Sequence, residues 1–150
     1  MKRESHEGAP DMDPRCHETC REIFPPGDYC IAELAVSTAA LFPDQGFRGR
    51  CLVTLREHHT ELFQLTPAMR TAFLEDVSRV AEAISSALHP IKINYELLGN
   101  LVPHMHWHII PRFLEDGVYP RPIWASEVSR RILPPAERDA LIAALRRYLR

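Results

Sequence analysis

Several features that mark other classes of protein are missing from this sequence. No stretch of about 18 consecutive apolar residues occurs, so we expect neither a membrane span nor a signal peptide. No basic run is longer than the pair Arg146 and Arg147, and 18 Lys and Arg stand against 20 Asp and Glu. The electrostatic footprint of a protein that binds a nucleic-acid polymer is therefore absent, although a small charged ligand is compatible with this balance. We expect a cytoplasmic protein.

Cysteine is scarce, with four in 150 residues, and the sequence has no internal repeat and no low-complexity segment. Cys30 and Cys51 lie in apolar, strand-like runs and are predicted to be buried thiols, because a cytosolic chain of this size needs no disulfides. With 45% hydrophobic residues the chain can bury one core, which predicts one domain over residues 16–150. Residues 1–15 are polar and aperiodic, and we expect them to be disordered or loosely packed.

The hydrophobic pattern predicts an α+β domain. Short runs rich in β-branched and aromatic residues predict about five antiparallel strands, at residues 29–34, 36–42, 51–55, 91–98 and 104–111. Thr66 and Pro67 are typical of a helix start, and apolar residues then recur at helical spacing until His89 and Pro90. A C-terminal helix is predicted from about Pro135. The expected architecture is one long helix packed on an antiparallel sheet.

Three histidines occupy alternate positions within NYELLGNLVPHMHWHIIPR, residues 94–112. Because alternate side chains of a strand share a face, His104, His106 and His108 are predicted to form a row, with Met105 and Trp107 in the core. A strand whose polar face merely happens to be histidine is the simplest alternative. Three of the chain's eight histidines lie within these five residues, however, which makes chance a poor explanation.

Metal binding by the row is a second interpretation, since His-x-His on a strand can offer two ligands to one zinc ion. Alternate residues are about 6.7 Å apart along a strand, which separates His104 from His108 by about 13 Å. Two histidines that share a zinc ion span about 11 Å at full stretch. A flat strand therefore cannot present all three to one ion.

Nucleophilic catalysis on phosphorus is the third interpretation. Imidazole is partly unprotonated near neutral pH, attacks phosphorus, and leaves well once phosphorylated, so that water completes the turnover. Flanking histidines would donate hydrogen bonds to phosphate oxygens and stabilise the developing charge. Only a central nucleophile can be assisted from both sides, which favours His106.

The motif, together with Pro111 and Arg112 that follow it, closely resembles the signature of the histidine triad nucleotide hydrolases and transferases. The stretch GFRGRCLVTLREHHTELFQLTPAMR is similar to that family's strand, polar loop and helix entry, and the resemblance covers about residues 16–125. Within it, the stretch KINYELLGNLVPHMHWHIIPRF looks like that of a branch of small bacterial members. The resemblance implies an antiparallel sheet with a long helix, a homodimer, and hydrolysis or transfer at the α-phosphorus of a purine nucleotide or nucleotide conjugate. Phosphoramidates, dinucleoside polyphosphates and related compounds are the implied substrates.

The resemblance also implies roles for individual residues. His106 would be the catalytic nucleophile, flanked by His104 and His108, through a covalent nucleotidyl-histidine intermediate that requires no cofactor. His108 and Asn100 would bind the phosphate, and Asn100 stands where the family usually has Gln. Trp124 is expected in the core rather than as a platform for stacking a base.

Three positions depart from the family pattern. Arg50 replaces a further active-site histidine of many members, and its permanent charge can hold phosphate but cannot exchange protons at pH 7. Leu101 stands where relatives often have Ser or Thr beside the leaving group, so the proton donor must be another residue or water, unless a good leaving group needs none. Asp44 lies near the expected ribose-binding acid, but an ordinary turn aspartate is the alternative. These departures motivate the alternative function of a nucleotide-binding protein with little or no turnover.

Cys16 and Cys20 fall where several family members have Cys-x-x-Cys. The resemblance implies a structural zinc site completed by His58 and His104, a closed tetrahedral set of two sulfurs and two nitrogens. The spacing is one residue longer than usual in the family, and two surface or half-buried thiols are the alternative. A zinc hydrolase that uses the triad itself is a further alternative, which predicts that chelators abolish activity.

Overall fold

The structure is a computed structural model and describes residues 14–16, 18–125 and 127–149. One antiparallel sheet contains the strands β1 (Cys30–Glu33), β2 (Ser37–Leu41), β3 (Cys51–Leu55), β4 (Lys92–Glu96) and β5 (His106–Arg112). The strand order is β1-β2-β3-β5-β4, so the histidine-bearing strand lies between β3 and β4. This confirms the predicted α+β class and the sheet of about five strands. The predicted behaviour of residues 1–15 lies almost entirely outside the described residues.

Two helices pack on the sheet, α1 (Pro67–Leu88) and α2 (Pro135–Tyr148). The Thr66 side chain accepts a hydrogen bond from the Met69 amide at 3.2 Å, and Pro67 takes the first helical position, where no amide donor is needed. α1 ends at His89, which adopts the left-handed conformation with φ 51°. Both ends of this long helix agree with the sequence prediction. Among the described residues no helix is long and apolar enough to cross a membrane.

The two faces of the sheet are covered differently. One face packs against α1 and α2 in the main core, which contains Val53, Ile109, Phe73, Ile84 and Leu145 among other buried residues. The opposite face is covered near β3 by the 3-10 helical turn Glu18–Ile23, which belongs to a separate buried cluster with Leu52 and Val102. The histidine side chains of β5 lie on this second face because His106 and His108 pair with Thr54 and Leu52 of β3.

A buried arginine at the end of β5 organises the segment that follows it. Arg112 is 1% exposed, and its Nε donates to Asp116 Oδ2 at 2.8 Å while Nη1 donates to Asn94 Oδ1 at 2.8 Å. Asp116 also accepts the backbone amides of Val118 and Tyr119 at 3.1 Å and 2.8 Å. The sheet and the first turn after β5 are thereby joined through one guanidinium.

The start of β5 differs from the prediction. The strand begins at His106, and His104 lies in a turn where its amide donates to the Val102 carbonyl at 2.8 Å. The prediction of a row of three histidines on one strand is therefore wrong at His104. Met105 and Ile109 are buried in the main core, and Trp107 packs against it, as alternation predicted. Cys51 is buried as expected, whereas Cys30 is only half-buried.

Candidate active site

A cleft of about 700 Å³ opens on the histidine face of the sheet. Its floor is β5, and its walls come from the turn Glu18–Ile23, the end of β2, the loop 97–105 and the segment after β5. Most residues that the sequence assigned to catalysis or nucleotide binding line this cleft, namely Asp44, Arg50, Asn100, His106 and His108. His104 is the exception, because its side chain points into a neighbouring cluster.

His106 is buried at the cleft floor and is held by a backbone group. Its Nδ1 donates to the His104 carbonyl oxygen at 2.7 Å, because a carbonyl can only accept. In the neutral ring this leaves the lone pair on Nε2. Burial lowers the pKa of His106, the carbonyl contact opposes that shift, and the charge of Arg50 reinforces it. The residue therefore presents an unprotonated nitrogen at neutral pH.

His108 lies two residues further along β5 and contacts the guanidinium of Arg50. The distance from Arg50 Nη2 to His108 Nδ1 is 3.0 Å, and both side chains are buried. Burial lowers the pKa of His108 to about 3, and the neighbouring Arg50 and His106 contribute in the same direction. His108 is therefore neutral at physiological pH.

The guanidinium of Arg50 lies over two aromatic rings. Its guanidinium carbon lies 4.1 Å from the ring centre of Phe42 and 5.0 Å from that of Trp124. Burial lowers the pKa of Arg50 to about 10, while Glu96 and Asp44 favour the charged form, so the residue is a cation at neutral pH. Stacking of this kind stabilises a desolvated guanidinium.

The remaining predicted residues lie at the cleft but differ in their hydrogen bonds and exposure. Asp44 Oδ1 accepts the amides of Gly46 and Arg131, each at 3.0 Å, which is the contact set of a turn aspartate, and the residue also lines the cleft. Asn100 is exposed in the loop 97–105, next to the cleft. Leu101 is 90% exposed at the same rim and offers no group that could transfer a proton.

Trp124 is the main residue that the sequence analysis misplaced. It is 55% exposed at the cleft rim rather than in the core, and its ring contacts His108 edge-on with centroids 5.9 Å apart. Its indole Nε1 donates to a carboxylate oxygen of Glu96, the residue that pairs with His108 across β4 and β5. The only sequence signal was its place in the Pro-rich stretch VYPRPIW, which is typical of irregular surface structure.

Four predicted metal ligands come together beside the cleft. Cys16 Sγ lies 3.3 Å from His104 Nδ1 and 3.6 Å from His58 Nδ1, and Cys20 Sγ lies 4.0 Å from His58 Nδ1. The two Nδ1 atoms are 3.1 Å apart, and all four ligand atoms lie within 4.8 Å of one another. A tetrahedral zinc ion with bonds of about 2.3 Å to sulfur and 2.0 Å to nitrogen needs ligand atoms roughly 3.3 to 3.8 Å apart. The four distances given above lie within about 0.2 Å of that range, and two sulfurs with two nitrogens are a donor set that suits zinc.

His104 is oriented for this cluster by its other ring nitrogen. Nε2 donates to the Leu55 carbonyl at 2.7 Å, which leaves Nδ1 as the ring atom with a lone pair. A metal-ligating histidine is commonly fixed by a backbone acceptor in this way. His104 thus contributes its side chain to the Cys/His cluster and only its carbonyl oxygen to the cleft residue His106.

The family model of the HIT domain matches residues 30–115, which is more than half of the chain. The chain belongs to the histidine triad (HIT) family. A crystal structure of a histidine triad protein from Bradyrhizobium japonicum is 28% identical, with a TM-score of 0.77 over 89% of this chain and 96% of that one. A zinc-bound histidine triad family protein from Mycobacterium smegmatis shares the fold, with 22% identity and a TM-score of 0.62 over 87% of this chain and 91% of that one.

A curated relative with a named activity is adenylylsulfatase HINT3 of Arabidopsis thaliana. It is 29% identical over 108 residues, which are 67% of this chain and 52% of that protein. The chain spans about half the length of the curated relatives it matches.

Proposed function

We propose that the protein is a nucleotide hydrolase or nucleotidyl transferase that acts at the α-phosphorus through a covalent intermediate on His106. The observation that carries the proposal is the 2.7 Å hydrogen bond from His106 Nδ1 to the His104 carbonyl, which leaves a lone pair on Nε2 of a residue lining the cleft. Membership of the HIT family and the adenylylsulfatase name of one relative support the same class of reaction.

The proposed reaction has two displacements. The Nε2 lone pair of His106 forms a bond to the α-phosphorus, and the bond from phosphorus to the leaving group breaks with the electron pair going to that group. A water oxygen then bonds to phosphorus, the phosphorus–nitrogen bond breaks, and His106 regains its lone pair. Water supplies one proton to the product side and the hydroxyl to phosphorus, so the net reaction is hydrolysis. An alcohol or phosphate in place of water gives transfer.

The cleft supplies groups suited to a nucleotide. His108 and the exposed amide of Asn100 stand as donors for phosphate oxygens, and the cationic Arg50 behind His108 favours an anionic ligand. The side chains of Ile23 and Phe42 give the cleft an apolar wall for a purine base, and Asp44, which also lines the cleft, offers a carboxylate for a ribose hydroxyl. The proposed partner is a purine nucleotide or nucleotide conjugate.

Leu101 at the cleft rim affects which leaving groups the protein should favour. Because leucine supplies no proton, substrates whose leaving group departs as a stable anion should react better than those that release an amine. A sulfate or a nucleotide leaves in this way, so adenylyl sulfate and dinucleoside polyphosphates rank above phosphoramidates as proposed substrates. Turnover of a panel of these compounds tests the ranking. Binding of AMP without turnover of any of them would instead establish the alternative of a nucleotide-binding protein.

The test of the nucleophile is the covalent intermediate itself. Wild type, quenched during turnover, should carry a nucleotidyl adduct on His106 in mass spectrometry. His106→Asn should remove the adduct and nearly all turnover while nucleotide affinity stays within a few-fold, because the other phosphate and base contacts remain. His108→Ala should keep the adduct and slow the reaction by about 10² to 10³, as for a lost oxyanion donor.

The matched control is His89→Asn. His89 is exposed at the left-handed end of α1, a conformation that Asn tolerates, and it does not line the cleft. This variant should react like wild type. An adduct on another histidine, or full activity in His106→Asn, would overturn the proposed mechanism.

We also propose that Cys16, Cys20, His58 and His104 hold one structural zinc ion. The close approach of the four ligand atoms and the bond from His104 Nε2 to Leu55 support this assignment. The ion would join the turn Glu18–Ile23 to the chain after β3 and to the chain before β5. The phosphorus chemistry is carried by His106 and needs no metal.

A further inference from the structure

The Nδ1 atoms of two neighbouring imidazoles in the cleft contact different kinds of group. His106 Nδ1 meets a carbonyl oxygen, whereas His108 Nδ1 meets a guanidinium. The rings stand edge to face with their centroids 5.1 Å apart. We infer that Arg50 is a positioning residue that fixes His108 as the Nε2–H tautomer, opposite to the tautomer of His106. Nε2 of His106 then presents a lone pair, whereas Nε2 of His108 presents a hydrogen-bond donor.

The tautomer follows from what each partner can do. A guanidinium has five N–H donors and no acceptor, so the 3.0 Å contact requires His108 Nδ1 to accept. A neutral imidazole carries one N–H, which must then be on Nε2. The pKa of His108, lowered to about 3 chiefly by burial, agrees with a neutral ring. By the same reasoning the carbonyl acceptor places the proton of His106 on Nδ1 and the lone pair on Nε2.

Arg50 is held in the orientation that this role requires. Phe42 lies on its guanidinium, Trp124 lies near it, and Trp124 is itself tied to Glu96 by a hydrogen bond. Arg50 is only 7% exposed, and its Nε is buried without a hydrogen-bond partner among residues 14–16, 18–125 and 127–149. A guanidinium held in this way acts on the proposed reaction indirectly, through its contact with the ring of His108. This differs from the direct phosphate contact that the sequence analysis expected from the charge of Arg50.

The consequence is a division of tasks between two chemically identical side chains. Phosphorus requires a lone pair, and the oxygens bonded to it require N–H donors. An Nδ1–H tautomer of His108 would present a second lone pair to those oxygens and repel them. Arg50 disfavours this state because a guanidinium cannot accept a hydrogen bond from an Nδ1–H.

The tautomer can be measured without turnover. In the ¹⁵N-labelled, ligand-free protein, two-bond ¹H–¹⁵N correlation spectra distinguish ring nitrogens with and without a proton, and the His108 signals are assigned by their loss in His108→Gln. Wild type should show Nε2–H. Arg50→Met keeps an apolar side chain beside Phe42 and Trp124 and should give a mixture of both tautomers. Arg48→Met removes an exposed arginine two residues away and should leave the His108 signals unchanged.

An Nδ1–H proton in wild type would overturn the inference, as would an unchanged Nε2–H population in folded Arg50→Met. The wild-type spectrum decides the matter even if Arg50→Met does not fold. Neither result depends on the proposed function, whose own failure appears as a missing adduct on His106.

A kinetic test rests on the proposed function and separates positioning from direct phosphate binding. His108→Ala should lower kcat by about 10² to 10³ with a small change in KM. Arg50→Met should lower kcat by a smaller factor, because part of the His108 population keeps the Nε2–H donor. Since Arg50 acts through the His108 ring, the double variant should be no slower than His108→Ala. Losses that multiply in the double variant would show that Arg50 acts on the substrate independently of His108, and would overturn the inference.

Discussion

His104 serves two sites with different atoms. Its ring lies in the Cys/His cluster, with Nε2 bonded to the Leu55 carbonyl, and its own carbonyl oxygen accepts the Nδ1 proton of His106. The first histidine of the motif is therefore separated from the other two, although the three are evenly spaced in the sequence. Alternation correctly placed His106 and His108 on one face because both lie within β5. It could not place His104, since the strand start depends on a contact of Met105 with His59, distant in sequence.

At the scale of a residue, His108 should make stability depend on pH. Its folded pKa of about 3 lies below the ordinary value of 6.5, so between these values the unfolded chain binds a proton that the folded chain does not. This contribution to stability is complete above pH 6.5 and decreases as the pH falls toward 3. The slope from this residue is at most about 1.4 kcal/mol per pH unit.

Urea unfolding at several pH values between neutral and mildly acid checks this. His108→Gln removes the titrating group and should reduce the loss of stability on acidification. Equal slopes for wild type and His108→Gln would contradict the prediction.

At the scale of an element, the helices and the irregular segments differ in how well the sequence predicts them. α1 carries its own start signal in Thr66 and Pro67 and a continuous apolar stripe, so both ends were predicted from local information. The segment after β5 has no comparable pattern, and its course is set by the long-range partners of Arg112 and by the hydrogen bond from Trp124 to Glu96. The position of Trp124 at the cleft rim was missed for this reason.

The Arg112 network should be a major determinant of stability for the end of β5. Asp116→Ala removes the carboxylate that accepts from Arg112 Nε and from the amides of Val118 and Tyr119. An unpaired guanidinium would then remain buried, which costs about 3 to 5 kcal/mol. Denaturant unfolding measures the loss. Glu115→Ala, at the exposed neighbour, should change stability by less than about 0.5 kcal/mol, and similar losses for the two variants would contradict the network's role.

At the scale of the whole molecule, the Cys/His cluster should determine metal content. Purified protein should contain one zinc ion per chain, and chelation should lower Tm because the ion binds only the folded arrangement of ligands. Cys20→Ser should lose the metal. Cys30→Ser is the matched control, since Cys30 is a free thiol outside the cluster, and it should retain the metal. Equal metal content in the two variants would exclude the proposed ligand set.

The outer edge of the sheet should be an interface in a homodimer. β4 is a terminal strand of the sheet. Tyr95 on this strand and Ile91 and Leu98 on either side of it are each about half exposed, at 47%, 50% and 52%. An open strand edge with apolar side chains favours pairing with a second copy. Sedimentation at micromolar concentration should give a dimer. Tyr95→Glu should shift the protein toward monomer, whereas Phe63→Glu, at an exposed site away from β4, should not.

The construction of the cleft has a consequence for how readily its specificity can be changed. Its reactive floor is a strand hydrogen-bonded on both sides, while the loop 97–105 and the segment around Trp124 contribute to its rim. Within those rim segments, residues 98–101 and 121–125 contribute no sheet hydrogen bond and no side chain of the main core, unlike Met105. A library restricted to residues 98–101 and 121–122, which leaves Trp124 beside Arg50, would therefore search for new substrates while His106 and His108 keep their places. The proposed chemistry therefore depends on residues of β5, whereas the choice of substrate depends on rim residues that can be changed separately.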